Sequence, residues 1–93
     1  MISVTTKGFW RCFDSLPGEV RRQAVRTYVR WHRDQRQPSL HFKCVSGKYA
    51  VWSVRIGIHW RAVGYRERVE DEETITWFWI GSHADYDRLL TSM

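Results

Sequence analysis

The chain has 93 residues, a formal net charge of +5 at pH 7 and an apolar fraction of 43%, and six of its residues are tryptophan. This composition excludes a disordered chain, because so many large apolar side chains can bury enough surface to fold. It also excludes a membrane span, since no apolar stretch approaches the roughly 20 residues required. We expect one domain over residues 1–93 of a cytoplasmic protein, with Cys12 and Cys44 reduced.

The predicted elements follow one another with short connections. Alternating polarity predicts a strand over residues 2–5, and apolar spacing predicts helices at about 7–15 and from Pro17 to about 34. Further elements are strands at about 40–45, 49–56, 60–68 and 74–81 and a short helix at 83–90. The order β-α-α-β-β-β-β-α predicts the α+β class, with a mostly antiparallel sheet, a helical hairpin on one face and the other face free.

Two segments supply the predicted core. The uncharged run from Ile75 to Ile80 predicts a central strand that is buried on both faces. The second helix carries an apolar stripe, which predicts that this side packs on the sheet. Its members are Val20, Ala24, Tyr28 and Trp31, broadened by Val25 and Val29.

Positive charge is concentrated in the first two thirds of the chain. Up to Ala62 there are twelve Lys or Arg residues against three acidic ones, whereas from Val63 onward there are three Arg against seven acidic residues. Such an asymmetry indicates a polyanionic partner, for which nucleic acid is the first candidate. The alternative is a basic protein without such a partner.

Arg55 and Arg61 are the first candidates for a binding site. Strand alternation directs Val54 and Ile56 into the core, so the two arginines are expected to point to the free face of the sheet. Guanidinium groups bind phosphate oxygens in a bidentate manner and stay charged at any working pH. The alternative for either arginine alone is an ordinary exposed side chain.

His83 follows the last strand and is a candidate general acid or base, because imidazole titrates near neutrality. Its alternative is a helix cap or a surface residue. Tyr86 lies three residues later, where it can either stack on a base or anchor the last helix to the core. No histidine shows metal-ligand spacing, so neither a metal nor a cofactor is predicted.

A second group of basic residues lies on the second helix. Four arginines at i, i+4, i+8 and i+11 form either a solvated face or a docking surface for phosphate or an acidic protein. They are Arg22, Arg26, Arg30 and Arg33, named the arginine face below. Lys43 and Lys48 are placed to extend a positively charged rim around the predicted site. His41 lies in a predicted strand and His59 in a predicted turn.

Four short motifs, taken in this order, resemble the RelE/ParE superfamily of toxins from type II toxin–antitoxin modules. They are Leu16-Pro17 before a long amphipathic helix, residues 38–43, Ser53–Gly57 with Trp60–Val63, and Ile80-Gly81-Ser82-His83. The resemblance covers nearly the whole chain and favours the RelE/YafQ-like mRNA interferase branch over the ParE branch.

The resemblance implies a ribosome-dependent endoribonuclease that cleaves mRNA by metal-independent attack of the ribose 2′-OH. It implies that Arg61 stabilises the developing charge, that Arg55 holds the backbone and that His83 carries the proton. Tyr86, one position from the usual late aromatic residue of the family, is counted with these three among the catalytic residues. RNA- and ribosome-binding residues would be Lys43, Lys48, His41 and His59.

The resemblance also implies partners: a cognate antitoxin on the arginine face and the exposed sheet face, mRNA, and ribosomal RNA. Two other functions are compatible with the same fold. One is a ParE-like protein that inhibits DNA gyrase by binding. The other is a non-catalytic nucleic-acid- or protein-binding module.

Overall fold

The structure is a computed structural model, which describes residues 1–93. Its elements are β1 (Ile2–Thr5), α1 (Lys7–Asp14), α2 (Gly18–Arg33), a 3₁₀ turn (Pro38–Leu40), β2 (Lys43–Ser46), β3 (Val51–Ile56), β4 (Trp60–Val69), β5 (Glu72–Ser82) and α3 (His83–Thr91). The predicted α+β class and order of elements are confirmed. None of the helices is long and apolar enough to cross a membrane.

The five strands form one sheet in the order β1-β5-β4-β3-β2. β1 pairs in parallel with β5, and every other neighbouring pair is antiparallel. The predicted central strand, β5, is an inner strand that pairs with β1 on one side and with β4 on the other, while β4 is the middle strand of the five.

The main core lies between the α1–α2 hairpin and one face of the sheet. Trp31 of α2 is 1% exposed, and its ring centroid lies 5.4 Å from that of Trp77 and 5.6 Å from that of Phe42. The buried members of this cluster are Leu16, Val20, Ala24, Trp31, Leu40, Val54, Ile56, Ala62, Ile75, Trp77 and Ile80. Residues from α2, from the segments on either side of it and from the three inner strands therefore form one apolar layer, against which partly buried Phe9 and Phe13 of α1 pack.

The apolar stripe of α2 is only partly buried, which corrects the sequence prediction. Val25, Tyr28 and Val29 are 54%, 43% and 44% exposed, and Thr27 takes a buried position instead. The reason is geometric: successive helix residues are about 100° apart, so a stripe centred on Ala24 cannot also bury Val25 and Val29. Val25 and Tyr28 line an open apolar groove of about 540 Å³ beside α1 and β1.

The opposite face of the sheet is covered in part by α3, so it is not free as predicted. Val51, Val63 and Tyr86 form a second buried cluster there, with Phe78 and Trp79 half-buried beside it. The strand β5 is therefore fully buried on the α1–α2 side only. This is a second correction, since both faces of residues 75–80 were expected to be buried.

A bulge in β5 explains how two consecutive aromatic residues reach the same face. Val63 pairs with Trp79, but the next residue, Gly64, pairs with Trp77, so Phe78 is left out of the ladder. A Cβ on Gly64 would lie 2.9 Å from both Ile75 Cγ1 and Thr76 O. Glycine at this position is what allows the strands to approach at the bulge.

Two predicted boundaries also change. The strand expected at 40–45 begins only at Lys43, because Leu40 ends a 3₁₀ turn and His41 has a left-handed backbone with φ of 45°. The acidic hairpin tip expected at 70–73 is a turn at Glu70 and Asp71, which both have positive φ. The next two acidic residues belong to β5.

Candidate functional site

The β3–β4 hairpin brings Arg55 and Arg61 together. They are directly paired across the two antiparallel strands, and the chain reverses between them at Gly57, whose φ is +60°. The neighbours of Arg55 in β3, Val54 and Ile56, belong to the main core. Because strand side chains alternate, the two arginines, named the arginine pair below, point to the opposite face, as the sequence predicted.

Backbone carbonyls of the hairpin turn orient both guanidinium groups. Arg55 Nε donates to Gly57 O at 3.1 Å. Arg61 Nη1 donates to Gly57 O at 3.3 Å, to Ile58 O at 3.3 Å and to Trp60 O at 2.7 Å. Because all of these bonds of Arg61 use Nη1, its Nε and Nη2 donors remain available to a ligand.

The environment of Arg61 is unfavourable to its charge unless an anion is present. Partial burial and, second, the charge of Arg55 lower the pKa of Arg61, whereas Tyr86 and Asp87 raise it. The guanidinium group remains charged at any physiological pH. A bound phosphate would offset the repulsion between the two arginines, so this is a place where the fold favours an anionic ligand.

His83 lies at the junction of β5 and α3. Ser82 caps the helix by accepting from Asp85 N at 3.1 Å, and His83 N donates to His59 O at 2.7 Å. These two hydrogen bonds, one to the Ser82 hydroxyl and one to the His59 carbonyl, fix the start of α3 beside the turn that holds the arginine pair. The imidazole is half exposed and therefore accessible.

Asp87 pairs with the histidine. Its Oδ2 lies 3.2 Å from His83 Nδ1, and its charge, the smallest of the four influences on Arg61, partly opposes the lowering of the pKa of that arginine. Sequence reasoning missed Asp87. The signal was the four-residue spacing between His83 and Asp87, which places both side chains on one side of a helix.

The side chain of Tyr86 is buried between α3 and the sheet rather than exposed beside the arginine pair. Its hydroxyl lies 3.0 Å from Ser53 Oγ, and its ring centroid lies 5.9 Å from that of His83. The placement fits the anchoring role considered for this residue. Ser53 was not singled out from the sequence, because a serine in a strand carries no signal of its own.

The remaining predicted RNA contacts are divided between the two ends of the β2–β3 hairpin. His41 Nε2 lies 3.5 Å from Arg55 Nη1, and exposed His59 belongs to the β3–β4 turn, so both are at the arginine pair. Lys43 is exposed on the edge strand opposite Ser53. Lys48, whose Nζ lies 5.2 Å from the Tyr49 ring centroid, is at the far end of this hairpin and does not join the cluster.

The arginine face lies on the solvent side of α2, across the sheet from the arginine pair. All four of its side chains are exposed, and none forms an ion pair with an acidic side chain. Arg30 donates to Ser39 Oγ. This surface is consequently a second basic region, distinct from the candidate site.

Residues 18–88 match the family model of the ParE-like toxin domain. The chain belongs to this family. The resemblance to RelE/ParE superfamily toxins that the sequence motifs indicated is thereby confirmed, and the protein is a toxin of this toxin–antitoxin fold family. A search of curated proteins found no match.

Solved structures agree with this assignment of the fold. A YoeB/ParE toxin from Agrobacterium tumefaciens is 16% identical with a TM-score of 0.65, over 89% of this chain and 99% of that one. A RelB–RelE antitoxin–toxin complex from Methanococcus jannaschii is 16% identical with a TM-score of 0.61, over 91% and 96%. A conserved hypothetical protein from Helicobacter pylori is also 16% identical, with a TM-score of 0.54 over 90% and 96%.

Proposed function

We propose that this toxin is a metal-independent endoribonuclease that cleaves mRNA on the ribosome. The observation that carries the proposal is the arginine pair, two guanidinium groups in register on one sheet face and oriented by carbonyls of the same turn. Groups held in this way can bind a phosphate without first losing side-chain freedom. The family match supports a toxin but leaves its target open.

The reaction follows from the chemistry of RNA. The ribose 2′-oxygen attacks the adjacent phosphorus, and the bond from phosphorus to the 5′-oxygen of the next nucleotide breaks. The products are a 2′,3′-cyclic phosphate and a 5′-hydroxyl end. Negative charge grows on the phosphate oxygens during the attack, so the free Nε and Nη2 donors of Arg61 would stabilise the transition state more than the substrate.

In this proposal His83 transfers the proton, either from the attacking 2′-hydroxyl or to the leaving 5′-oxygen. Asp87 acts as a positioning residue, because its carboxylate holds Nδ1 at 3.2 Å and leaves Nε2 to face the RNA. The buried side chain of Tyr86 anchors α3 to the sheet and so keeps His83 and Asp87 in place. His41, His59, Lys43 and Lys48 would contact the RNA and ribosome, so binding should weaken steeply with salt.

We expect His83→Gln to reduce the cleavage rate by roughly 100-fold or more and to flatten its dependence on pH near neutrality, because glutamine cannot take up a proton there. His59→Gln is the matched control for a histidine that contacts RNA without transferring a proton: it should weaken binding but keep the pH profile of the bound complex, since its observed contact uses the backbone carbonyl and not the ring. The measurement is the cleavage rate of ribosome-bound mRNA between about pH 5.5 and 8.5, a range that brackets imidazole titration. An unchanged profile in His83→Gln would remove His83 from the mechanism.

The match to the ParE-like toxin domain favours, as a second candidate, the inhibition of DNA gyrase by binding that the family resemblance left open. In that case the exposed arginines bind the enzyme and carry out no chemistry. A non-catalytic binding module of the same fold is the third candidate. Intact mRNA in arrested cells would favour gyrase, whereas absence of growth arrest would favour the binding module.

We also propose that a cognate antitoxin covers the arginine face. The similar Methanococcus jannaschii protein was solved as an antitoxin–toxin complex. Here the exposed apolar Val25 and Val29 lie on the same helix as four arginines without acidic partners. A surface of this composition fits an amphipathic segment with acidic residues along its edges.

Reversal of one charge tests this surface. Arg26→Glu should weaken binding of the antitoxin by roughly tenfold and slow its association, because a like charge then faces the acidic segment. Arg68→Glu, on the far end of β4, is the control for net charge. Surface plasmon resonance with the purified antitoxin measures both. Equal affinities for the two variants would show that the antitoxin binds elsewhere.

A further inference from the structure

A basic pocket with aromatic walls lies at the edge of the sheet, on the α2 side and therefore on the face opposite the arginine pair. It has a volume of about 660 Å³ and is formed by the segment that follows α2, residues 32–38, together with His41, Phe42, Trp52 and Arg66. None of the sequence motifs pointed to it. We name it the stacking pocket.

The base of the stacking pocket is a cluster of two aromatic rings and one guanidinium group. The Phe42 and Trp52 ring centroids are 4.9 Å apart with their planes tilted by 41°, and the guanidinium carbon of Arg66 lies 4.4 Å from the Trp52 centroid. Arg66 Nε also contacts Glu73 Oε2 at 3.4 Å, which limits its rotation. The Arg66 side chain is 26% exposed, so it remains accessible although one face is covered by Trp52.

Charge at the rim of the stacking pocket favours a polyanion. Arg33 is exposed and has no acidic partner, and Arg36 is almost fully exposed. The one acid in the lining, Asp34, accepts from Arg36 N at 3.0 Å and lies 3.9 Å from Arg36 Nε. Basic side chains therefore outnumber acidic ones around a stack of aromatic and guanidinium groups.

His41 joins the stacking pocket to the arginine pair. It lines the pocket, and its Nε2 lies 3.5 Å from Arg55 Nη1. Arg66 lies five residues beyond Arg61 in β4, about 16 Å along the strand, so an RNA strand bound by the arginine pair reaches the pocket by passing around the edge of the sheet at His41. Its left-handed backbone, with φ of 45°, turns the chain between the 3₁₀ turn and β2 at this point.

We propose that the stacking pocket binds a base of the same single-stranded RNA, more than one nucleotide away from the cleaved phosphate. The base stacks on the guanidinium plane of Arg66, a mode of recognition common in single-stranded RNA binding, and the backbone phosphate is neutralised by Arg33 or Arg36. The proposal rests on the proposed RNA-cleaving function. It adds a residue that contacts a base, whereas the arginine pair contacts only the backbone.

The test separates stacking from charge. Arg66→Lys keeps the positive charge but loses the planar surface. Arg68→Lys is the matched control, because Arg68 is on the same strand and also contacts Glu73, at 3.3 Å, but lies outside the pocket. The probes are a 2′-O-methyl RNA oligonucleotide, which cannot be cleaved, and an abasic oligonucleotide of the same length. Fluorescence anisotropy gives the affinities, and thermal unfolding checks that both variants fold.

We expect Arg66→Lys to weaken binding of the base-containing oligonucleotide by roughly five- to tenfold and to leave binding of the abasic one unchanged. Equal affinities of the Arg66→Lys and Arg68→Lys variants would overturn the stacking pocket. A loss of the same size on both probes would show that Arg66 contacts the RNA backbone and not a base, and would also overturn the stacking pocket. In either case, RNA cleavage that still depends on Arg61 would leave the proposed function standing. A wild-type protein that neither binds RNA nor cleaves it would overturn both.

Discussion

Arg61→Ala is expected to lower the rate of RNA cleavage by roughly 100- to 1,000-fold, the usual effect of removing one group that stabilises charge in a transition state. Of the arginine pair, Arg61 is the better placed to bind the reacting phosphate. Three turn carbonyls fix its Nη1, and two donors remain free. Its partly buried guanidinium group carries its charge next to Arg55, so an anionic transition state gains from it.

The fold of Arg61→Ala should be unchanged. The bonds that Arg61 makes are to carbonyls of an exposed turn, and removal of a repelling charge beside Arg55 should not be destabilising. Arg68→Ala is the control, since it removes an arginine from the same strand at the opposite end. Single-turnover cleavage at saturating RNA separates the chemical step from binding. Equal rates for the two variants would exclude Arg61 from catalysis.

Trp31→Ala is expected to lower the free energy of unfolding by roughly 3–5 kcal/mol, the range for truncation of a buried tryptophan. A domain of this size has a total stability of about 5–15 kcal/mol, so this one change can leave much of the protein unfolded. The side chain is 1% exposed and contacts Trp77 and Phe42, so it connects α2 to the sheet. Its Nε1 has no hydrogen-bond partner, which makes packing its main contribution.

Trp10→Ala is the matched control for this change. Trp10 is also a tryptophan on a helix, but it is 47% exposed. Its removal should cost much less, because little apolar area is lost from the interior. Urea unfolding followed by circular dichroism measures both free energies. If the two variants lost the same stability, Trp31 would not be the centre of the core.

The sequence predicted the local structure well, because hairpins and amphipathic helices depend on neighbours along the chain. The β3–β4 hairpin illustrates this: Gly57 marks its turn, and strand alternation correctly placed Arg55 and Arg61 on one face. The parallel pairing of β1 with β5 was not predicted. It joins residues more than 70 positions apart, such as Ile2 and Thr74, and leaves no local pattern.

The candidate site was only partly predictable for the same reason. His83 carried a signal because it follows a strand, but Asp87 gains meaning only when α3 places its carboxylate near both His83 and Arg61. Arg66 gave no signal either, because its stack with Trp52 and Phe42 joins three separate elements. The left-handed backbone at His41, which moves the start of the predicted strand to Lys43, likewise depends on the tertiary position of the 3₁₀ turn.

The most direct measurement is to map the 5′ ends of mRNA in a bacterial host that expresses the wild-type chain or the Arg61→Ala/His83→Gln double variant. If the toxin cleaves mRNA at this site, the wild type causes growth arrest and new 5′-hydroxyl ends inside coding regions, and the double variant causes neither. Growth arrest with intact mRNA and an induced DNA-damage response would contradict RNA cleavage and identify gyrase as the target instead.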